Sequence, residues 1–257
     1  MDSYNINFNI KKKIKKLTNK LIVIDDHTHK RHFCDFYINN NFMTKPEEMR
    51  IKKLNPSTTL LLGKKYFINN KKLLHLKNLN KKSNKIKNIF VFFGTSDSTN
   101  ETLKFIKSIK KFTDIKFNIL IGKLNKNYRK IKNYCKPKKN VKIFYDLTND
   151  ETLKLLQNSQ FAFGSGGINL TERLYLGIVS VAICTAKNQK KALIGLHKKK
   201  IIHYLGESKN INSLMITKCI NNFLNDDSLF KYYLKNTRAH YNKSFLKLLN
   251  KKLNLLN

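Results

Sequence analysis

From about residue 85 onward, short apolar runs alternate with stretches whose apolar residues recur every three to four positions. Ile89 to Phe93 (I-F-V-F-F), Lys116 to Ile121, Val141 to Phe144, Phe161 to Phe163 and Val179 to Ile183 predict five buried strands. The first intervening helix turns Leu103, Ile106 and Ile109 inward, and a basic helix runs to about Cys135 before Pro137 breaks it. Asp150 to Asn158 predicts a short helix with Leu153 and Leu156 on one side and Leu155 flanking them; Asn169 to Leu176 predicts another, closed by Gly177. A helix from about Asn188 to His197, a short strand at Ile201 to Tyr204 and helices to the C-terminus follow. This alternation predicts βαβ units and a parallel sheet covered on both faces, a doubly wound α/β domain.

The first 84 residues differ. Leu21 to Asp25, Phe36 to Ile38, Leu60 to Leu62 and Lys65 to Ile68 read as four short strands, too few for an independent Rossmann half with its crossover helices. Residues 71–87 are rich in lysine and asparagine and read as a linker. The expected organisation is therefore 1–70, a linker at 71–87, and a main domain at 88–257 with trailing helices. The apolar residues Phe245, Leu246, Leu248 and Leu249 near the C-terminus are expected to cross back over the first domain or to seek a partner.

The chain has 257 residues and a formal charge of +36, from 52 Lys+Arg against 16 Asp+Glu. Only 5 of the 52 are arginine, and asparagine numbers 34, so much of the charge reads as a compositional bias toward lysine and asparagine codons. A surface built to read phosphate would be richer in arginine, whose fork grips it bidentately. No specific nucleic acid is expected as a partner, only weak, salt-sensitive attraction to polyanions. The four cysteines, Cys34, Cys135, Cys184 and Cys219, form no C-x-x-C pair and suit reduced thiols in the cytoplasm. The longest apolar stretch, about residues 177–186, is half a membrane span, so no transmembrane segment is expected.

The most informative motif is F-A-F-G-S-G-G-I-N-L-T-E-R-L-Y-L-G, Phe161 to Gly177. A strand ends in a glycine loop and a helix begins, so backbone amides and the orphan N–H groups of the helix start converge where an anion can approach. Gly166 and Gly167 are the candidate pyrophosphate-binding positions. Glu172, one turn into the helix, can accept from ribose hydroxyls; the plainer reading is a tight turn with Glu172 as a helix-start charge. The spacing is neither G-x-G-x-x-G nor a Walker A loop. Gly94, Thr95 and Ser96, followed by Asp97, form a second loop at the same sheet edge, suited either to a second phosphate or to capping the next helix. Asn188 and Gln189 offer neutral amides to sugar hydroxyls or acetamido groups, or serve as a helix cap. His27-x-His29-x-x-His32, with Cys34 and Asp35, has ligand-like spacing. Lys30 and Arg31 in its midst oppose a cation, so a solvated loop or a sugar-side contact is expected and neither metal nor cofactor. Asp25 and Asp26 read as strand-end caps or an acid/base pair.

Taken together, these blocks resemble one family, the UDP-2,4-diacetamido-2,4,6-trideoxy-β-L-altropyranose hydrolases of pseudaminic acid biosynthesis. That family is related to the donor half of GT-B glycosyltransferases of the lipid II N-acetylglucosaminyltransferase type. The resemblance rests on Ile24 to Asn41, Leu61 to Tyr66, Phe92 to Lys104, Gly164 to Gly177 and Lys187 to Gln189, in order through about residues 21–205. It implies a GT-B-like fold, with a Rossmann-like UDP-sugar-binding C-terminal domain and an incomplete N-terminal one. It also implies metal-free release of UDP by water attacking the anomeric carbon with inversion. Carried over by position, the 94–96 loop, Gly166 and Gly167 look like pyrophosphate ligands and Glu172 like the ribose ligand. Asn188 looks like an active-site asparagine, with Gln189 beside it.

Two departures accompany the resemblance. The family's small hydroxyl residues after Gly-Gly are replaced by Ile168 and Asn169. The family's opening Gly-rich loop, whose histidine looks like the general base, has no counterpart before Leu21. The expectation is therefore a cytoplasmic UDP-sugar hydrolase that is inactive alone or completed by a partner chain supplying the N-terminal domain. The alternative is the donor-binding subunit of a split GT-B glycosyltransferase.

Overall fold

The computed structural model describes residues 6–67, 72, 73, 75, 76 and 85–240. The chain divides into two compact units at Asn69/Asn70. The residues expected to form most of the linker, and Phe245, Leu246, Leu248 and Leu249, lie outside the described residues.

The larger unit is built on six strands: β4 (Asn88–Phe92), β5 (Lys116–Ile121), β6 (Val141–Tyr145), β7 (Phe161–Gly164), β8 (Val179–Cys184) and β9 (His203–Glu207). They pair in the order β6-β5-β4-β7-β8-β9, all parallel. Numbered within the sheet this is 3-2-1-4-5-6, the doubly wound order in which the chain reverses its direction of travel between the first and fourth strands. The helices between strands are α3 (Glu101–Ser108), α4 (Tyr128–Cys135), α5 (Asn149–Gln157), α6 (Ile168–Tyr175) and α7 (Lys190–Lys198); α8 (Ser213–Asn225) and α9 (Asp227–His240) follow.

The continuous apolar runs arise because the central strands are covered on both faces. Ile89, Val91, Phe161, Phe163, Val179, Val181 and Ile183 face one core, where Phe105, Ile216, Ile220, Phe223 and Phe230 from the helices meet them. The alternate residues Phe90, Ala162 and Ala182 are equally buried. Helix starts follow local chemistry. The Thr148 hydroxyl accepts from the Glu151 N–H while the Glu151 carboxylate accepts from the Thr148 N–H, a capping box on α5. Ahead of α3, the Asp97 carboxylate accepts from the N–H groups of Glu101 and Thr102.

The smaller unit has β1 (Ile22–Ile24), β2 (Phe36–Asn39) and β3 (Thr59–Leu62) in parallel order 1-2-3, over a core of Leu21, Val23, Tyr37 and Ile51. Two helices there were not expected from the sequence. The basic stretch is part of α1 (Phe8–Lys16), with Lys11 buried. Helix α2 (Lys45–Leu54) opens with a capping box of Thr44 and Glu47. Its T-x-x-E signature contains Pro46 and precedes a charged segment that hides the apolar face.

Three expected elements are corrected. Lys65 to Ile68 does not form a strand: residues 64–66 make a single 3₁₀ turn after Gly63, whose φ of +84° turns the chain out of the sheet. The last strand is His203–Glu207, two residues later than expected, because the buried Ile201 and Ile202 belong to the approach to the sheet. Asn188 precedes its helix, in a 3₁₀ turn over Lys187–Gln189, and α7 begins at Lys190.

The aromatic cluster of Phe161 with Phe163, Phe223 and Phe230 ties β7 to α8 and α9, with ring centroids 4.8–6.4 Å apart. Phe161→Ala is expected to cost about 3–5 kcal/mol, read from the midpoint of urea unfolding.

Candidate functional site

In a doubly wound sheet, ligands settle at the carboxyl ends of the strands where the winding reverses. Here that point lies between β4 and β7, and the two candidate loops, residues 94–97 and 164–167, follow these two strands. Motifs some 70 residues apart in sequence therefore share one sheet edge. Two glycines set how closely the edge can pack. A Cβ on Gly164 would collide with the carbonyl oxygen of Phe92, and one on Gly122 with the backbone of Thr95. Neither collision is with a flexible side chain, so backbone would have to move.

Gly94 and Gly167 have φ of +98° and +100°, backbone that side chains other than hydrogen rarely adopt. A Cβ on either would meet nothing within 4 Å, so both present bare peptide to open space. Gly167 is also the N-cap of α6, at the positive end of that helix. Thr95 and Ser96 are exposed. Gly166 and Gln189 meet directly: the Gly166 N–H donates to Gln189 Oε1 at 3.3 Å. The same oxygen accepts from the Thr185 N–H and hydroxyl at 3.4 and 3.3 Å. The Gln189 carbonyl is thus occupied within the protein, and a phosphate would have to displace it to reach the Gly166 amide. Asn188, one residue before, is exposed.

An open cleft of about 280 Å³ lies along this edge. Phe92 and Thr95, Leu120 and Gly122, and Asp146 and Leu147 line it from the ends of β4, β5 and β6; Ile168, Asn169 and Glu172 line it from α6. Glu172 is only 9% exposed, and burial raises its carboxyl above the ordinary range. Its Oε2 accepts from the Asn169 side-chain amide at 3.2 Å. Of the sequence candidates, Thr95 and Glu172 share this cleft. Ile168, Asn169 and the 146–147 loop were not singled out as ligand positions. The loop's place at the end of a predicted strand was the one available signal for it.

The structure adds Arg173, which sequence reasoning passed over. It is completely buried, and burial pushes its guanidinium down to about 9. Nη2 donates to the Ser165 carbonyl at 2.8 Å and Nε to the Asn169 carbonyl at 3.4 Å.

In the smaller unit the histidine motif is not the solvated loop expected. His32 is buried, stacks on Tyr37 and meets Lys11 Nζ through Nδ1 at 2.8 Å. Burial and the nearby Lys11 push its imidazole down to about 4. His29 is exposed, and burial pushes the Cys34 thiol up to about 11. Asp25, Asp26 and His27 do gather, with ligand atoms within 4.8 Å of one another. Asp25 Oδ1 accepts from the backbone N–H of His27 at 2.9 Å and lies 2.7 Å from its Nδ1, which makes Asp25 a strand-end cap.

Two outcomes follow from this geometry. Gly164→Ala is expected to destabilise the larger unit by about 1–3 kcal/mol through overpacking against Phe92, read by urea unfolding. Glu172→Gln is expected to stabilise the free protein at pH 7. A carboxyl raised in the folded state favours folding below its unfolded pKa and loses that contribution as pH rises through the folded value. The gain from glutamine should therefore be full at neutral pH and fade near about pH 4, checked by unfolding at both pH values.

No family model matches the chain. It is 26% identical to the UDP-2,4-diacetamido-2,4,6-trideoxy-β-L-altropyranose hydrolase of Campylobacter jejuni, over 77% of this chain and 70% of that protein. It is also 26% identical to an uncharacterized protein of Methanocaldococcus jannaschii, over 77% of this chain and 42% of that one. Among solved structures it superposes on MurG from Acinetobacter baumannii with a TM-score of 0.61 at 11% identity, covering 85% of this chain and 66% of that one. On the UDP-GlcNAc 2-epimerase from Neisseria meningitidis the TM-score is 0.62 at 14% identity, covering 87% and 62%. The chain thus spans less than half of the archaeal relative and under two thirds of each of these two solved chains. Among the described residues, no helix is long and apolar enough to cross a membrane. The chain is therefore similar in sequence to the UDP-diacetamido-trideoxy-altropyranose hydrolase, and its fold is that of the GT-B enzymes.

Proposed function

We propose that the chain binds a UDP-sugar at the β4/β7 edge and releases UDP from it by hydrolysis. The sugar we assign is a 2,4-diacetamido-trideoxyhexose of the kind that feeds nonulosonic acid biosynthesis. The observation that carries this reading is the meeting of the 94–97 and 164–167 loops at the sheet's switch point, beside a cleft that contains Glu172. The sequence likeness to the hydrolase supports the choice of reaction.

In this reading the nucleoside lies in the cleft, with Glu172 accepting from the ribose hydroxyls. The diphosphate rests on the start of α6 and on the bare peptide of Gly94 and Gly167, with Thr95, Ser96 and Gly166 beside it. The helix-start N–H groups and backbone amides stabilise the charge that develops on UDP as the anomeric bond breaks. They need no reorganisation at that moment, because positive-φ glycines and the packed sheet edge hold them fixed. Asn188 and Gln189 stand next to the glycine loop, at the end nearer the sugar. Asn188 is free to orient an acetamido group or the attacking water, whereas Gln189 chiefly braces the loop through Gly166. Ionised Glu172 costs stability in the free protein, and hydroxyl donors from ribose would offset that cost.

The test is calorimetry with UDP followed by an assay of UDP release from the UDP-sugar. UDP is expected to bind the wild type, and Glu172→Gln to weaken it at least tenfold. Absence of UDP binding would overturn the nucleotide-sugar reading. UDP-sugar binding with no release of UDP would overturn the hydrolase assignment and leave a donor-binding role.

A further inference from the structure

Arg173 is a fully buried charge, and Glu172 offsets it only in part, through space rather than by an ion pair. Among the described residues no carboxylate lies within ion-pair distance of its guanidinium. Glu172 adjoins it in sequence, but the Glu172 carboxyl is bonded to Asn169, and burial raises it toward its neutral form. Two carbonyls, of Ser165 and Asn169, take two of the guanidinium's donors. Nη1 is buried with no hydrogen-bond partner. Both terminal nitrogens lie 3.0 Å from where a Cβ on Gly164 would stand, so the planar group sits directly against the root of the glycine loop.

A buried cation without a counter-charge is costly, and removing water from it without full hydrogen bonding adds to the cost. Such a group persists where something offsets the charge at a distance. One of the two carbonyls it binds belongs to the loop already argued to carry the diphosphate. The Ser165 carbonyl it binds belongs to the residue immediately before Gly166. That carbonyl is held inward by Arg173, while the Gly166 N–H that follows it donates to Gln189 Oε1. Helix α6, which begins where the same loop ends, also carries Arg173.

We propose that Arg173 is a positioning residue for the anion. It fixes the 164–167 loop from beneath through the Ser165 carbonyl, and its unneutralised charge is the counter-charge for a diphosphate lying on the loop's outer side. This rests on the nucleotide-sugar reading above and adds to it a source of selectivity. The site distinguishes a diphosphate from the uncharged nucleoside by a cation that never touches the ligand. A lysine in its place would keep a point charge but lose the planar fork that spans Ser165 and Asn169.

The test uses the full chain and three probes: UDP, inorganic pyrophosphate and uridine. Wild type, Arg173→Met and Arg173→Lys are compared by calorimetry, with circular dichroism and urea unfolding to establish that each variant is folded. Arg173→Met is expected to lose at least tenfold in affinity for UDP and pyrophosphate while uridine binding changes by less than twofold. Arg173→Lys is expected to retain a UDP-to-uridine affinity ratio within about threefold of wild type, because the charge remains. A merely structural arginine predicts instead that UDP and uridine weaken together and that lysine rescues neither. Equal loss for both ligands in folded Arg173→Met, or UDP binding within twofold of wild type, would overturn the proposal. If Arg173→Met fails to fold, Arg173→Lys decides: a UDP-to-uridine ratio reduced tenfold overturns the role of charge, and a ratio near wild type upholds it. Failure of the wild type to bind either UDP or pyrophosphate overturns the underlying nucleotide-sugar reading, an outcome distinct from any difference among the variants.

Discussion

The candidate site depends on backbone meeting backbone at the carboxyl edge of the main sheet. Gly164 leaves β7 so close to the Phe92 carbonyl that no side chain fits between them, and Gly122 leaves the end of β5 equally close to Thr95. These approaches bring the loops after β4, β5 and β7 to one edge. The strand order supplies the crevice, but without hydrogen at these two positions the backbone would have to shift to relieve contacts with the Phe92 carbonyl and the Thr95 backbone. Positive φ at Gly94 and Gly167 then turns each loop so that bare peptide faces outward. The same sheet edge therefore presents bare peptide at Gly94 and Gly167, while the Gly166 N–H is taken by Gln189.

Electrostatics at this edge is unusual in both directions. Burial acts on an acid and a base in adjacent positions of one helix, raising Glu172 and lowering Arg173. Each relieves the other only in part, through space, since no ion pair joins them. The free protein thus holds a carboxyl that burial raises beside a buried guanidinium that no ion pair neutralises. The many lysines contribute little of this specificity. Exposed lysines are screened within about 8–10 Å at physiological salt, whereas a fully buried guanidinium is not.

The main sheet was legible because strands covered on both faces must be apolar throughout, and Ile89 to Phe93, Phe161 to Phe163 and Val179 to Ile183 are. The glycine loop was legible as strand, loop and helix in succession, and the fold places it at the winding reversal. The two helices of the smaller unit were not legible, because lysine and other charged residues dominate their surfaces and only Lys11 and Ile51 are buried on the inward side. His32 was misjudged for a related reason. A histidine between basic residues reads as solvated, yet stacking on Tyr37 and contact with Lys11 bury it, pairings over 5 and 21 positions that periodicity does not reveal. Arg173 was invisible for the opposite reason: it stands on an apolar helix face, where a sequence reader treats a lone arginine as a boundary residue.

The replacement of small hydroxyls by Ile168 and Asn169 takes on a specific meaning in three dimensions. Ile168 is 75% exposed, at the first position of α6 and on the cleft wall, so it offers a ligand apolar surface where a hydroxyl would have offered a hydrogen bond. Asn169 turns to Glu172 and supports that carboxyl. What remains for a phosphate at this helix start is the peptide backbone itself, whose N–H groups do not depend on which side chain they carry. A site that has lost hydroxyl donors depends more heavily on backbone amides and on long-range charge. That is the setting in which an arginine locked beneath the loop, rather than a side chain reaching over it, has the greatest effect on how an anion is held.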